Sequence, residues 1–274
     1  MSQTIKLGDL TVNRLGFGAM RVLGPNVWGQ PADRMGVLRL FRRAVALGAN
    51  FFDTAESYGP QTDEVVIAEA LHPYPTVFVI GTKGGQLRPS PGRWDSDARP
   101  EKLKKDLEGS LKRLRLERID LYQLHAPDPE VPLEDSLGAI VDAQKAGKVR
   151  HIGVSNVDIE ELERARRVAN IVSVQNRYNI GDRKSEDVLK ACEKLGIAFL
   201  PWYPLGAGSA SRHKKIASVA QRIHATPMQV AIAWLLAKSP VMLPIPGTSS
   251  IAHLEENMEA ASLRLSAEDV ALLG

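Results

Sequence analysis

Five short phrases, FFDTAESYGP at 51–60, VIGTK at 79–83, LYQLH at 121–125, GVSN at 153–156 and PIPGTSS at 244–250, each place polar or glycine-rich residues directly after an apolar, strand-like run. Chemistry that recurs at the carboxyl ends of successive strands is the pattern of a β/α barrel, whose loops on that side converge on one mouth. Strand-like runs fall at Leu15–Gly18, Phe51–Asp53, Val77–Thr82, Ile119–Leu124, Val149–Val154, Ile171–Gln175, Ile197–Trp202 and Val241–Ile245. Each is followed by a helical pattern: Asp33–Leu47, Glu64–Leu71, Pro100–Leu114, Leu133–Ala146, Ile159–Val168, Lys184–Leu195, Pro227–Ala237 and Ala252–Ala260. Strict alternation argues for a parallel sheet. Eight repeats argue for α/β closure into a (β/α)8 TIM barrel, a single domain over residues 1–274.

The opening TIKLGDLTVNRL carries two alternating runs around Gly8-Asp9, a hairpin signal, and this hairpin is expected to plug the bottom of the barrel. An open dinucleotide-binding sheet would need a glycine fingerprint at the first βα turn. Residues 15–20, LGFGAM, lack its third glycine, and the next strand lacks the acidic end in the expected register. The Pro/Gly-rich segment 84–100 lies between the third strand and third helix, on the side where long loops shape sites.

Composition removes several functions. The formal net charge is only +3 and the basic residues are interleaved with acids, which argues against nucleic acid as a partner. No apolar run approaches the ~20 residues needed to span a bilayer. Met1–Leu10 lacks a basic start and an apolar signal core, so the expectation is a soluble, cytoplasmic protein with no membrane partner. The single cysteine, Cys192, excludes an intrachain disulfide and reads as a small helix core residue. His72, His151, His213 and His224 show no ligand spacing, so no metal is expected.

Four residues then stand out together: Asp53, Tyr58, Lys83 and His125, at or just after the ends of strands two, three and four. A lysine at a strand end inside an apolar barrel needs a partner, most simply Asp53. A cation near Tyr58 is expected to lower the phenol's pKa and suit it to proton donation, with His125 free to hydrogen-bond the reacting oxygen or the tyrosine.

The phrases FFDTAESYG, IGTK, LYQLH, GVSN, VQNRYN and IPGTSSIAHLEEN resemble the aldo-keto reductase superfamily from near the amino terminus to about Asn257. The resemblance implies a barrel that binds a nicotinamide cofactor, with Asp53, Tyr58, Lys83 and His125 as the catalytic tetrad and Tyr58 as general acid for carbonyl reduction. It places Met20, Ser155, Asn156 and Gln175 at the cofactor, and Trp202 as the ring stacked on the nicotinamide, followed by Tyr203 and Pro204. Leu205, Gly206 and Gly208 are implied at the diphosphate. Gly247, Thr248, Ser249, Ser250, His253, Glu256 and Asn257 are implied around the adenosine end. Many NADPH-preferring relatives have cations at the positions of Gly247 and His253, and both are missing here. NADPH is still the expected cofactor, with NADH use left open.

LTVNRLGFGAM, WGQPADR and IPGTSSIAHLEENMEAA are similar to the bacterial pyridoxal reductase branch of that family. Pyridoxal or another small aromatic aldehyde then becomes a candidate substrate, with Trp28 and Trp94 as its pocket wall. No long loop follows the last helical pattern before Gly274, so an open pocket is expected. A catalytically slow regulatory or redox-sensing subunit that binds the same cofactor is the alternative reading; the full tetrad favours catalysis. A monomer is the default expectation.

Overall fold

The computed structural model describes residues 3–206, 208 and 213–274. Its first element is the hairpin, β1 (Thr4–Leu7) paired antiparallel with β2 (Leu10–Asn13). The turn needs glycine at position 8 twice over: φ is +61°, and a Cβ there would stand 2.2 Å from the His151 ring. Asp9 accepts from Arg150 Nη2 (2.6 Å) and lies 2.5 Å from His151 Nε2, which ties the hairpin to the start of a central strand.

The central sheet comprises β3 (Phe17–Gly18), β4 (Phe51–Asp53), β5 (Val79–Gly84), β8 (Ile119–Leu124), β9 (Val149–Ser155), β10 (Ile171–Arg177) and β11 (Ala198–Trp202), after the short β6 (Gln86–Leu87) and β7 (Asp95–Ser96). Its seven strands follow in the order β3-β4-β5-β8-β9-β10-β11, every neighbouring pair parallel. Helices alternate with them: α1 (Arg34–Ala46), α2 (Thr62–Leu71), α3 (Pro100–Leu114), α4 (Leu133–Lys145), α5 (Ile159–Val168), α6 (Glu186–Leu195), α7 (Lys214–Arg222), α8 (Pro227–Lys238), α9 (Ile251–Glu259) and α10 (Ala267–Leu273). This is an α/β fold with a curled parallel sheet, consistent with a (β/α)8 barrel.

The expected eighth strand differs. Val241–Ile245 forms no strand but makes isolated contacts: Phe199 N donates to Val241 O, Leu243 N to Phe199 O, and Gly16 N to Pro244 O. Pro244 and Pro246 have no N–H, so a continuous ladder cannot form there. Three elements lie outside the expected alternation: α7, α10 and the small β6–β7 pair inside segment 84–100.

Side-chain alternation along the strands builds two layers. Phe51, Val79, Leu121, Leu200 and Leu243 share one buried cluster with Leu7 and Val12 of the hairpin. Phe52 and Ile80 pack instead with α1 and α2, and Tyr122 and Phe199 with the later helices. Two residues beyond the inward Phe51 and Leu121 come Asp53 and Gln123, and four beyond Val79 comes Lys83, so the interior turns polar toward the carboxyl ends.

Candidate active site

Strand β5 carries Lys83 into the interior with 0% exposure. Its Nζ donates to Asp53 Oδ1 and to the Thr54 carbonyl, each at 2.7 Å. A buried ammonium is tolerated only with such partners. Burial pushes the Lys83 ammonium below its ordinary range, and the adjacent Asp53 carboxylate opposes that shift. Asp53 closes β4, and its second oxygen accepts from Gln175 Nε2 at 2.8 Å. Because β4 and β10 are not neighbours in the sheet, this bond crosses the interior.

Tyr58 sits in the turn between β4 and α2, its ring centroid 5.1 Å from Lys83 Nζ. Burial, reinforced by the Asp53 and Asp63 carboxylates, pushes its phenol well above the ordinary value; Arg88 opposes this. The expectation of a lowered Tyr58 pKa is therefore corrected: desolvation outweighs the cation. The phenol stays protonated at neutral pH, which suits a proton donor. His125 follows β8, with Nδ1 3.3 Å from Ser57 Oγ and its ring edge-on to Tyr58 at 5.7 Å. Burial, then Lys83 and Arg88, hold it well below the usual histidine range and so neutral.

Ser155 Oγ donates to the Gln175 carbonyl (2.7 Å) and Asn156 Nδ2 to the His125 carbonyl (2.9 Å). Asn156 Oδ1 accepts from Trp202 Nε1 at 2.9 Å. Asn156 and Tyr203 both hold positive φ, 58° and 61°, a conformation that concentrates at functional sites. With both Asn156 N–H groups engaged, by His125 O and Ser155 Oγ, the second lone pair of its amide oxygen is what remains for a ligand donor.

These residues surround a cleft of about 670 Å³. Asp53, Tyr58, Trp94 and His125 line it together with Met20, Ser155, Asn156, Gln175, Trp202, Tyr203, Pro204, Leu205, Gly208 and Gly247. Lys83 lies beneath Tyr58 rather than on the surface of the cleft. Trp28, Gly206, Thr248, Ser249, Ser250, His253, Glu256 and Asn257 do not line it. Ser250 caps α9 by accepting from His253 N, Glu256 accepts from the Thr226 hydroxyl, and Asn257 is buried. Gly247 is crowded: a Cβ there would stand 2.4 Å from Gly18 O and 3.3 Å from Arg21 Cγ.

Two residues escaped sequence reading. Arg21 is the only lysine or arginine lining the cleft among the described residues. Arg88 lies behind Trp94, its Cζ 3.6 Å from that ring's centroid. Neither sits in a distinctive spacing. Among the described residues no group of three His, Cys, Asp or Glu side chains could hold a metal ion.

A buried Lys–Asp pair thus lies under a tyrosine, with a neutral histidine beside it near the carboxyl ends of the parallel strands. The chain matches the Aldo/keto reductase family over residues 14–273 and belongs to that family. It is 43% identical over 279 residues to pyridoxine 4-dehydrogenase of Escherichia coli, covering 99% of this chain and 97% of that protein. It is 44% identical over 271 residues to an uncharacterized oxidoreductase of Schizosaccharomyces pombe, covering 98% and 88%. Among solved structures, a thermostable aldo-keto reductase in complex with the inhibitor epalrestat superposes with a TM-score of 0.88 at 32% identity, covering 99% of this chain and 98% of that one. An aldo-keto reductase from Klebsiella pneumoniae in complex with NADP and acetate does so with a TM-score of 0.85 at 26% identity, covering 100% and 94%. The pyridoxine 4-dehydrogenase likeness agrees with the resemblance to the pyridoxal reductase branch.

Proposed function

We propose that this chain reduces small aldehydes or ketones to alcohols with NADPH, and that Tyr58 donates the proton. The observation that carries the reading is the stack of Asp53, Lys83 and Tyr58 beside neutral His125. When bound, the dihydronicotinamide supplies a hydride. His125, neutral, can donate a hydrogen bond to the carbonyl oxygen and direct it toward Tyr58. Tyr58 transfers its proton as negative charge develops on that oxygen, and the Lys83 ammonium, fixed by Asp53, stabilises the phenolate left behind.

The cofactor fits a second set of polar groups in the cleft. Asn156 Oδ1 and Gln175 Oε1 are acceptors suited to a carboxamide N–H₂, and the Trp202 ring offers a stacking face. Thr248, Ser249, Ser250 and the first-turn amides of α9 suit the phosphate-bearing end. NADH use stays open, because positions 247 and 253 carry glycine and histidine rather than lysine and arginine.

Pyridoxal, or another small aromatic aldehyde, is our proposed substrate, supported by Trp94 on the cleft flank and by the pyridoxine 4-dehydrogenase relative. We read the architecture as one closed barrel over residues 1–274, with 241–245 as its eighth stave and the hairpin as its plug, working as a cytoplasmic monomer. No described helix is long and apolar enough to cross a membrane.

Tyr58→Phe tests the proposal. Aldehyde turnover should fall by at least about 100-fold while NADPH binding persists. Near-native turnover would remove the proton-donor role. Intact NADPH binding in the native protein with no turnover over a panel of carbonyls would favour a sensor.

A further inference from the structure

Arg88 gathers three separate segments onto one side chain. Only 8% exposed, it donates through Nε to Arg93 O (3.0 Å), through Nη1 to Val27 O (3.1 Å) and Ser57 O (3.4 Å), and through Nη2 to Asn26 O (2.8 Å). Four of its five N–H groups thus end on backbone carbonyls. Its Cζ lies 3.6 Å from the Trp94 centroid and 5.6 Å from that of Trp28.

The turn it grips is strained. Asn26 and Val27 have φ of 59° and 58°, and for a β-branched valine the left-handed region is a genuine outlier. Both residues present their carbonyls to the same guanidinium. Charge-assisted bonds to Arg88 thereby hold a conformation that the local sequence disfavours.

What the grip controls is the cleft wall. Asn26, Val27 and Trp94 line the cleft, whereas Arg88 does not. Trp94 meets Tyr58 edge-on at 6.1 Å and His125 at 6.4 Å. Its residual exposure is 36%, and Arg88 covers one face, so the other is the face available to a flat ligand.

We propose that Arg88 is a positioning residue for substrate specificity: by pinning the strained 26–27 turn and backing Trp94, it builds a rigid aromatic wall that selects planar aromatic carbonyl substrates over acyclic ones. This rests on the carbonyl reductase reading above. A floppy loop would give no such preference, because stacking needs a ring held in place before the substrate arrives.

The test compares benzaldehyde with propanal in the native protein, Arg88→Met, Arg88→Lys, and the double variant Arg88→Met with Val27→Gly. Arg88→Met should raise KM for benzaldehyde about tenfold, with KM for propanal and Kd for NADPH, read by cofactor fluorescence, each changed less than about threefold. Arg88→Lys should recover little, since an ammonium cannot match the fork. Val27→Gly removes the strain, so the double variant should regain part of the benzaldehyde preference. An unchanged KM ratio in Arg88→Met overturns the proposal while leaving the reductase reading intact. So does a parallel loss of both aldehydes and of NADPH binding, which marks general unfolding. If the native protein binds NADPH but reduces neither aldehyde, the reductase reading falls and this inference falls with it.

Discussion

Gln175 donates from Nε2 to Asp53 Oδ2 at 2.8 Å across the interior of the sheet, between strands that are not neighbours. The same carboxylate takes the Lys83 ammonium on its other oxygen. The proposed proton-transfer group and the proposed nicotinamide contact are therefore joined by one side chain. Gln175→Met leaves Asp53 Oδ2 without its donor and should cost about 1–3 kcal/mol of stability. It should also lower kcat, which an effect on cofactor affinity alone would not do. Urea denaturation and steady-state kinetics check both; a variant with native midpoint and native kcat would show that the bond couples nothing.

Lys83→Met strands a buried carboxylate, and unfolding in urea should reveal a loss of about 3–5 kcal/mol. Asp53→Asn combined with Lys83→Met should be more stable than Lys83→Met alone, because the uncompensated charge is gone. Activity should stay low in both. If the double variant is no more stable than Lys83→Met, the pair is not what makes the lysine tolerable.

Asp63 offers a pH signature. Buried beside Tyr58 and bonded by the Thr54 hydroxyl at 2.8 Å, its carboxyl is pushed up to about 7 by desolvation, with the Glu64 and Asp53 carboxylates adding to the rise. Unfolded, it titrates near 3.9, so between about pH 4 and 7 the folded state holds a proton that the unfolded chain lacks. Stability from this group falls as pH climbs through that window. His125 has the opposite sign: held neutral in the fold, it removes stability as pH drops below about 6.5. Asp63→Asn should make the denaturation midpoint rise more steeply with pH between about 4 and 7 and leave its slope unchanged above about 7. An unaltered slope between about pH 4 and 7 would exclude Asp63 as a contributor.

On the proposed cofactor reading, Arg21 stands in for the cations missing at positions 247 and 253. It lines the cleft, and no ion pair to it occurs among the described residues. Arg21→Ala should weaken NADPH binding about tenfold and NADH binding less than about threefold, measured by calorimetry. Equal weakening of the two would move Arg21 to the diphosphate they share.

Much of this site was legible because strand ends are legible. Asp53, Lys83 and His125 each terminate or follow an apolar run, and Tyr58 follows one by five residues, so alternation alone aims them at one mouth. Arg88 had no such signal: it lies in a Pro/Gly-rich loop among other arginines, and its importance comes from carbonyls 61 and 62 residues away. Gln175 was visible as a candidate, but its bond to Asp53 needs the sheet to curl. The shift at Tyr58 depended on depth of burial, which residue type and spacing do not encode. Val241–Ile245 looked like a strand from its apolar content, yet Pro244 and Pro246 reduce it to a few bonds. Helix α7 falls outside the alternating pattern, although Ile216, Val219 and Ala220 mark its buried stripe.

The contact between Gly247 and Gly18 bears on how cofactor preference could be altered by design or descent. A lysine introduced at 247 would push on the Gly18 carbonyl, and Gly18 is paired in register with Asp53. On the proposed cofactor reading, a charge gained there for the coenzyme's phosphate would therefore press on the strand pair that carries Asp53. The route open to change runs through neighbouring surface positions such as 21, where new charge can be gained or lost without touching the strand that carries the chemistry.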